Sequence, residues 1–227
     1  MSETIDAPAG ARTMQVRHLG RISYGDALVL QAELVKQRRA GEIPDTLLLL
    51  EHPHVITLGS GSHDENVLVT PEERAERGIE LFDTGRGGDV TYHGPGQLVG
   101  YPIFDLKPDR QDLHRYLRDI EEALIGVLSD FGLAGGRVEG LTGVWVDDRK
   151  LAAIGVRVSS GWITSHGFAL NVTTDLSFFG TIIPCGIRDH GVGSISGELG
   201  RPVEMAEVEA SAVRWFQRIF ERRAVED

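Results

Sequence analysis

The single cysteine of this 227-residue chain is its strongest candidate nucleophile. Cys185 stands between Pro184 and Gly186. Proline fixes the backbone before the sulfur and glycine removes bulk after it, an arrangement that presents a side chain to a cleft. A thiol attacks as the thiolate, so a cation or a base must lie near it. The alternative, a small buried apolar side chain, is the usual role of a lone cysteine and stays open here.

Lys150 is the first candidate for that cation. Lysine is scarce in this chain, and Lys150 lies between the charged turn at residues 147–149 and the apolar residues 151–155. Beside a thiolate, its ammonium group would lower the pKa of the thiol by direct attraction. In an apolar pocket the pKa of a lysine falls, so Lys150 could also accept a proton from an incoming amine. A solvated lysine in a turn is the alternative interpretation.

Three histidines are further candidates: His93, His166 and His190. His93 either takes part in catalysis or ties its loop together by hydrogen bonds, and the sequence does not separate the two roles. His52 and His54 could bind a metal together with the cysteine. Because the chain has no Cys-x-x-Cys or His-Glu-x-x-His spacing, we expect no zinc site.

The glycine-rich stretch (residues 86–97) contains four glycines and begins at Arg86. A phosphate-binding loop is the first interpretation, with the guanidinium and free backbone N–H groups facing an anion. Phosphate loops of known mechanism run into a helix N-terminus. Residues 98–104 are instead typical of a strand, so no helix dipole would contribute to phosphate binding here.

The hydrophobic pattern predicts an α+β fold, with a mixed β-sheet flanked by helices. Strands are predicted at 14–19, 45–51, 55–58, 79–83, 98–104, 143–146, 151–158 and 163–172. Helices are predicted at 23–40, 71–78, 111–131 and 203–221, and a loop or edge segment at 178–187. We predict one domain over residues 13–222, with a disordered tail at 1–12 and a second tail at 223–227.

Composition and charge narrow the classes of function. A net charge of -11 argues against non-specific nucleic-acid binding, so no nucleic-acid partner is expected. No apolar run approaches membrane-spanning length, and residues 1–12 lack the apolar core of a signal peptide, so no membrane partner is expected. With one cysteine no disulfide can form within the chain, and we expect the reducing cytoplasm.

Four motifs, taken in order, resemble the pattern of lipoyl(octanoyl) transferases. They are Arg86-Gly87-Gly88-x-x-Thr91-Tyr92-His93-x-x-Gly96-Gln97-x-x-x-Tyr101, the lysine segment 150–157, the segment 166–171 and Pro184-Cys185-Gly186. Residues 50–53 and 57–59 also resemble the family's early strand, and the resemblance covers about residues 14–220. His54 departs from the pattern, which has an apolar residue or proline there.

The resemblance implies an enzyme that transfers an octanoyl group from octanoyl-acyl carrier protein. The acceptor would be a specific lysine on a lipoyl domain of a 2-oxoacid dehydrogenase, or the glycine-cleavage H protein. Cys185 would carry the octanoyl thioester, while Lys150 would lower the thiol pKa and act as acid and base. A thioester donor is already activated, so no cofactor is expected. The fold would resemble the catalytic domain of biotin and lipoate ligases.

By the same resemblance, three segments would line the acyl-binding site. They are Arg86, Gly87, Gly88, Asp89, Val90, Thr91, Tyr92 and His93; Ala153, Ile154 and Gly155; and Gly167, Phe168 and Ala169. We expect their glycines to make room for the carbon chain. Backbone N–H groups beside Cys185 or near Gly155 are candidate donors to the oxyanion. Arg86, Arg149 and Arg157 would either face an acidic carrier protein or remain solvated surface charges.

Two other functions remain open at this stage. An ATP-dependent lipoate or biotin ligase shares the fold, although such ligases do not need a cysteine nucleophile. A non-catalytic acyl-binding protein would bind octanoyl groups and form no thioester.

Overall fold

The structure, a computed structural model, describes residues 11–183 and 190–227. In strand order, the larger sheet runs β12 (Arg222–Glu226), β1 (Arg12–Arg21), β2 (Asp45–Glu51), β6 (Gln97–Ile103), β10 (Thr164–Asn171), β9 (Arg149–Val158), β8 (Leu141–Val146) and β7 (Gly136–Val138). A further strand, β11 (Gly191–Val192), pairs with the start of β9. The smaller sheet runs β4 (Glu80–Asp83), β3 (Val55–Leu58) and β5 (Thr91–His93). Parallel and antiparallel pairs occur in both sheets, as the prediction of a mixed sheet requires.

Helices cover both faces of the larger sheet. Those that do so are α1 (Tyr24–Ala40), α3 (Leu113–Asp130) and α5 (Met205–Phe220), and the two shorter helices of the described residues are α2 (Pro71–Glu76) and α4 (Ile195–Leu199). Both predicted ends of α1 and the predicted start of α2 are confirmed, whereas α2 ends at Glu76, two residues before the predicted Gly78. The Ser23 hydroxyl accepts from the backbone N–H of Asp26, and Thr70 forms a capping box with Glu73. Gly41 ends α1 with a left-handed φ of 75°, which glycine adopts without strain.

The core lies on either side of the larger sheet. On one face α3 and α5 bury Tyr116, Leu124 and Phe216 completely. On the other face α1 places Ala27 and Leu34 in a cluster with neighbouring strands. Each large apolar side chain removed from water contributes about 1.5–3 kcal/mol, so these helices hold the sheet rigid beneath the site.

The structure corrects the predicted tail at 223–227 and the boundary of the predicted tail at 1–12. Residues 223–227 are not a tail, because β12 pairs in parallel with β1. The buried Arg222 holds this end by donating from Nε to Asp45 Oδ2 at 2.8 Å. At the other end Arg12 already belongs to β1, and residues 1–10 lie outside the described residues.

The segment predicted as a loop at 178–187 begins within a 3-10 helix, Leu176–Thr181. Ile182 then forms an isolated bridge with Val67. Residues 184–189, which include Cys185, lie outside the described residues. Across the parts of the chain that the structure describes, no helix has the length and apolar character needed to cross a membrane.

Candidate active site

A cavity of about 420 Å³ lies between the larger sheet and the glycine-rich stretch. This volume is typical of small-molecule sites. Most of the predicted site residues line it: Arg86, Gly87, Gly88, Asp89, Val90, Thr91, His93, Lys150, Ala153, Ile154, Gly155, Gly167, Phe168 and Ala169. Three segments that are distant in the sequence therefore meet in one cavity.

Tyr92 is the predicted residue that the described cavity lining leaves out. Side chains alternate along a strand, so Tyr92 points away from its cavity-lining neighbours Thr91 and His93. Its hydroxyl lies 2.7 Å from Nδ1 of His54, and its ring stacks with that of Phe178. The predicted nucleophile, Cys185, falls outside the described residues.

Two of the glycines have a packing role that was not predicted. A Cβ on Gly155 would lie 2.8 Å from the carbonyl oxygen of Gly87, and one on Gly167 would overlap the carbonyl oxygen of Gly100. Gly87 also donates its N–H to the carbonyl of Val156 at 2.9 Å. The missing side chains therefore let backbone pack against backbone and dock the stretch on β9.

Arg86 is fixed within the fold. Its side chain is buried, and its guanidinium donates to the carbonyl of Thr57 at 2.6 Å and to the carbonyl of Gly87 at 3.0 Å. These bonds join the glycine-rich stretch to β3. Burial leaves Arg86 little surface to offer a partner protein. Arg157 is exposed, and Arg149 pairs with Glu198 at 2.6 Å.

A chain of hydrogen bonds connects His93 to the backbone of Lys150. His93 Nδ1 lies 2.8 Å from Gln97 Oε1, and Gln97 Nε2 donates to Asn171 Oδ1 at 2.9 Å. Asn171 Nδ2 donates to the carbonyl of Gly193 at 2.9 Å, and the Gly193 N–H donates to the carbonyl of Lys150 at 3.0 Å. Both amide orientations are thus fixed, so His93 carries its proton on Nδ1.

Burial keeps this histidine neutral. It lowers the pKa of His93 to about 3, with nearby His52 as the next cause. The loop-tying role considered for His93 fits these contacts, and its side chain also borders the cavity. A neutral imidazole with its proton on Nδ1 leaves Nε2 as an acceptor.

Four residues that were not predicted as site residues also line the cavity: Tyr24, Gln97, Tyr101 and Asn171. Tyr101 donates its hydroxyl proton to His52 Nε2 at 2.8 Å, because His52 Nδ1 donates to the carbonyl of Ile22 at 2.9 Å. Gln97 and Tyr101 were motif positions, which is the signal that could have found them. Tyr24 carries no such signal.

His166 borders the same cavity in a strained conformation. Its φ of 55° is left-handed, which is uncommon for a residue other than glycine and typical of functional sites. Its backbone N–H donates to Gln31 Oε1 at 2.8 Å. Burial, together with the nearby cations Arg86 and Arg157, lowers the pKa of His166 to about 4.

Lys150 lies near the start of β9, beside an aromatic ring. Its Nζ is 4.9 Å from the centroid of the Trp145 ring, and Lys150 pairs with Trp145 across the β8–β9 ladder. The His190 ring lies 5.2 Å from the same indole. The described chain therefore resumes, after residues 184–189, next to the indole that contacts Lys150.

The described ranges 11–183 and 190–227 contain no group of three or more His, Cys, Asp or Glu side chains that could hold a metal ion. The chemistry that these residues can support combines a cation held at one end of the cavity, apolar walls along it, and neutral imidazoles at the other end.

Comparison with known proteins identifies related sequences. The family described as the lipoyl protein ligase A/B catalytic domain matches residues 23–217. An octanoyltransferase from Rubrobacter xylanophilus is 55% identical over 208 residues, covering 91% of this chain and 93% of that protein. An octanoyltransferase from Chloroflexus aggregans is 50% identical over 216 residues, covering 94% and 98% respectively.

Solved structures confirm the predicted fold. Lipoate-protein ligase A bound with ATP matches with a TM-score of 0.73 at 18% identity, covering 96% of this chain and 88% of the other. A bi-partite lipoate protein ligase from Thermoplasma acidophilum also matches with a TM-score of 0.73 at 18% identity, covering 96% and 87%. At this identity the likeness shows the fold alone, which is a mixed sheet flanked by helices.

Proposed function

Because this chain belongs to the family of lipoyl protein ligase A/B catalytic domains, and within it to the octanoyltransferases, we propose a two-step acyl transfer through Cys185. The donor is octanoyl-acyl carrier protein. The acceptor is a specific lysine on a lipoyl domain of a 2-oxoacid dehydrogenase or on the glycine-cleavage H protein. Transfer through a free thiol needs a reducing compartment, so we place the enzyme in the cytoplasm.

In the first step, the Cys185 thiolate attacks the thioester carbonyl of the donor. A bond forms between the cysteine sulfur and the carbonyl carbon, and the bond from that carbon to the carrier's sulfur breaks. One thioester replaces another, so the step is nearly balanced in free energy. The ammonium group of Lys150 lowers the pKa of the attacking thiol. It then gives its proton to the departing carrier sulfur, which leaves Lys150 neutral for the second step.

In the second step, the acceptor lysine attacks the acyl-enzyme. Its amine must lose a proton, which neutral Lys150 accepts and then passes to the departing cysteine sulfur. The product is an amide, and its stability relative to a thioester drives the transfer forward. Backbone N–H groups beside Cys185 or near Gly155 stabilise the tetrahedral oxyanion in both steps.

The cavity supports an acyl substrate. Ala153, Ile154, Phe168 and Ala169 give it apolar walls. The seven carbons beyond the carbonyl of an octanoyl group gain roughly 0.8 kcal/mol for each methylene removed from water. The observation that carries the proposal is that Lys150 and the three predicted acyl-site segments border the same cavity.

Two alternatives lead to different measurements. An ATP-dependent ligase would exchange label between pyrophosphate and ATP, and a non-catalytic relative would bind octanoyl groups without forming a thioester. The ligases share the fold at 18% identity, whereas the relatives at about half identity are octanoyltransferases. We expect no exchange of pyrophosphate label.

Intact mass spectrometry after incubation with octanoyl-acyl carrier protein tests the proposal. We expect one octanoyl adduct on Cys185 that hydroxylamine removes, because thioesters react with hydroxylamine. The control is Cys185→Ala, which should carry no adduct. An adduct that survives this substitution, or none on the wild-type protein, would contradict the mechanism.

A further inference from the structure

Glu121 is a charged residue in an unusual place. It lies on α3 with a relative exposure of 0%, among side chains that pack into the core. A buried carboxylate is costly unless it is paired. Its Oε2 accepts from Arg118 Nη1 at 2.5 Å and from Arg137 Nε at 2.9 Å, and both arginines reach it from the protein surface.

The other carboxylate oxygen contacts the sheet. Glu121 Oε1 accepts the backbone N–H of Gly143 at 3.1 Å. Gly143 lies in β8 with a φ of 133°, and the register of the β8–β9 ladder shifts between Val144 and Trp145. Such irregularities redirect a side chain, and this one lies beside a hydrogen bond that β8 donates to α3.

The same part of β8 surrounds Lys150. A Cβ on Gly143 would lie 3.0 Å from Lys150 Cε and 2.5 Å from the carbonyl oxygen of Ala152, so the Gly143 backbone borders the stem of the lysine. Two residues later, the Trp145 ring lies 4.9 Å from Lys150 Nζ. A cation at this distance from an indole is attracted to the ring face.

We propose that Glu121 is a positioning residue for Lys150. Through the Gly143 N–H, it fixes the bulged part of β8, which holds the lysine stem against Gly143 and the ammonium group against Trp145. Glu121 acts on Lys150 through β8, which lies between the two side chains. The catalytic consequence rests on the proposed function, whereas the placement of Lys150 does not.

Nuclear magnetic resonance of the whole protein labelled with ¹³C-lysine tests the placement directly. The chain has only three lysines, Lys36, Lys107 and Lys150. Lys36 and Lys107 are exposed and serve as internal references. We expect the ring current of Trp145 to displace the Cε–Hε signal of Lys150 from the other two. The signal is assigned by its loss in Lys150→Arg.

Three variants separate positioning from stability. Glu121→Leu and Glu121→Met fill similar space without a carboxylate oxygen for Gly143, and we expect the Lys150 signal to move toward the two references. Glu121→Gln keeps an amide oxygen and should retain the displaced signal. Glu122→Leu is the matched control. Glu122 is the next residue on α3 and pairs with Arg137 at 2.7 Å, but it does not contact Gly143.

Activity adds a second readout. With octanoyl-acyl carrier protein we expect Glu121→Leu to lower kcat by about tenfold with KM nearly unchanged, because only the placement of the lysine is lost. Glu121→Gln should restore kcat.

The outcomes distinguish this inference from the function it rests on. An unmoved Lys150 signal in folded Glu121→Leu would overturn the positioning role, as would loss of folding in both Glu121→Leu and Glu121→Met. If the Lys150 signal of Glu121→Leu moves toward the two references while kcat stays unchanged, the positioning role is supported. The unchanged kcat would instead contradict the role proposed for Lys150 in acyl transfer.

Discussion

The two ends of the cavity treat charge in opposite ways. At the lysine end, defined by Lys150, Gly143 and Trp145, an ammonium group lies over an indole ring. At the other end lies the histidine cluster of His52, His93 and His166, of which His93 and His166 border the cavity and His52 contacts the ring of His93. Burial lowers the pKa of each of these imidazoles, and His52 has a pKa of about 4.

In the proposed function, one end of the cavity holds the group that reacts and the other end holds groups that keep the fold in place. The lysine end keeps a group that can donate and accept a proton next to the end of the segment that carries Cys185. Hydrogen bonds hold two of the neutral rings in place. His52 donates to the carbonyl of Ile22 and accepts from the Tyr101 hydroxyl, and His93 donates to Gln97 Oε1. Neutral imidazoles would not compete with Lys150 for the thiolate.

The largest expected effect comes from removing the lysine. Lys150→Ala should slow single-turnover acyl transfer by about 10²-fold or more, because both the cation and the proton acceptor are lost. The midpoint of the plot of Cys185 alkylation rate against pH, which reports the apparent pKa of the thiol, should move to higher pH. Lys150→Arg is the control that separates the roles, since arginine keeps the charge but does not release a proton. It should retain alkylation at neutral pH and still transfer slowly to the amine. An unchanged alkylation profile in Lys150→Ala would show that Lys150 does not lower the pKa of the thiol, and the contrast between the two ends of the cavity would fail.

Next in size is a packing change beside the histidine cluster. Gly167→Ala should lower the free energy of unfolding by about 1–3 kcal/mol, because the new Cβ would overlap the backbone of Gly100. Urea denaturation measures the effect. Gly136→Ala in β7 is the matched control, as its Cβ would meet nothing within 4 Å. Equal losses in both variants would show that the close approach of β10 and β6 is not the cause.

Acid should weaken the fold through the histidine cluster. The pKa of His52 is about 4 in the folded protein and about 6.5 in an unfolded chain. The unfolded chain therefore takes up protons first, so the contribution of neutral His52 is complete above pH 6.5 and is lost as pH falls through 4. Each such histidine adds roughly 1.4 kcal/mol per pH unit to this loss. Urea unfolding of wild type and His52→Gln between these pH values gives the difference in slope. Parallel curves would argue against a neutral buried His52.

The smallest expected effect lies at the surface near the lysine end. Arg149→Gln breaks the pair with Glu198, but the arginine side chain is 43% exposed, so we expect a loss of less than about 1 kcal/mol in stability. A rise in KM for octanoyl-acyl carrier protein at low salt, absent at high salt, would show that Arg149 meets an acidic donor. A KM independent of salt would assign it to the pair alone.

Much of the fold was predictable because its signals are local. The caps at Ser23 and Thr70 and the left-handed Gly41 fixed helix ends within a few residues of sequence. The five-residue strand β12 was missed, because its charged sequence acquires strand geometry only by pairing with β1. The glycines were assigned to the site, but their neighbours are backbone atoms from distant strands, which no local pattern reveals.

The sequence alone determined which residues are available for chemistry: one cysteine, a lysine among only three, and glycine-containing motifs in a fixed order. Tertiary structure decided what surrounds them. The bond from Gly143 to Glu121 spans 22 positions, and that from Arg222 to Asp45 spans 177. Contacts of this kind depend on strand pairing and helix packing across the whole chain, because residues so far apart in sequence are neighbours only in the folded structure.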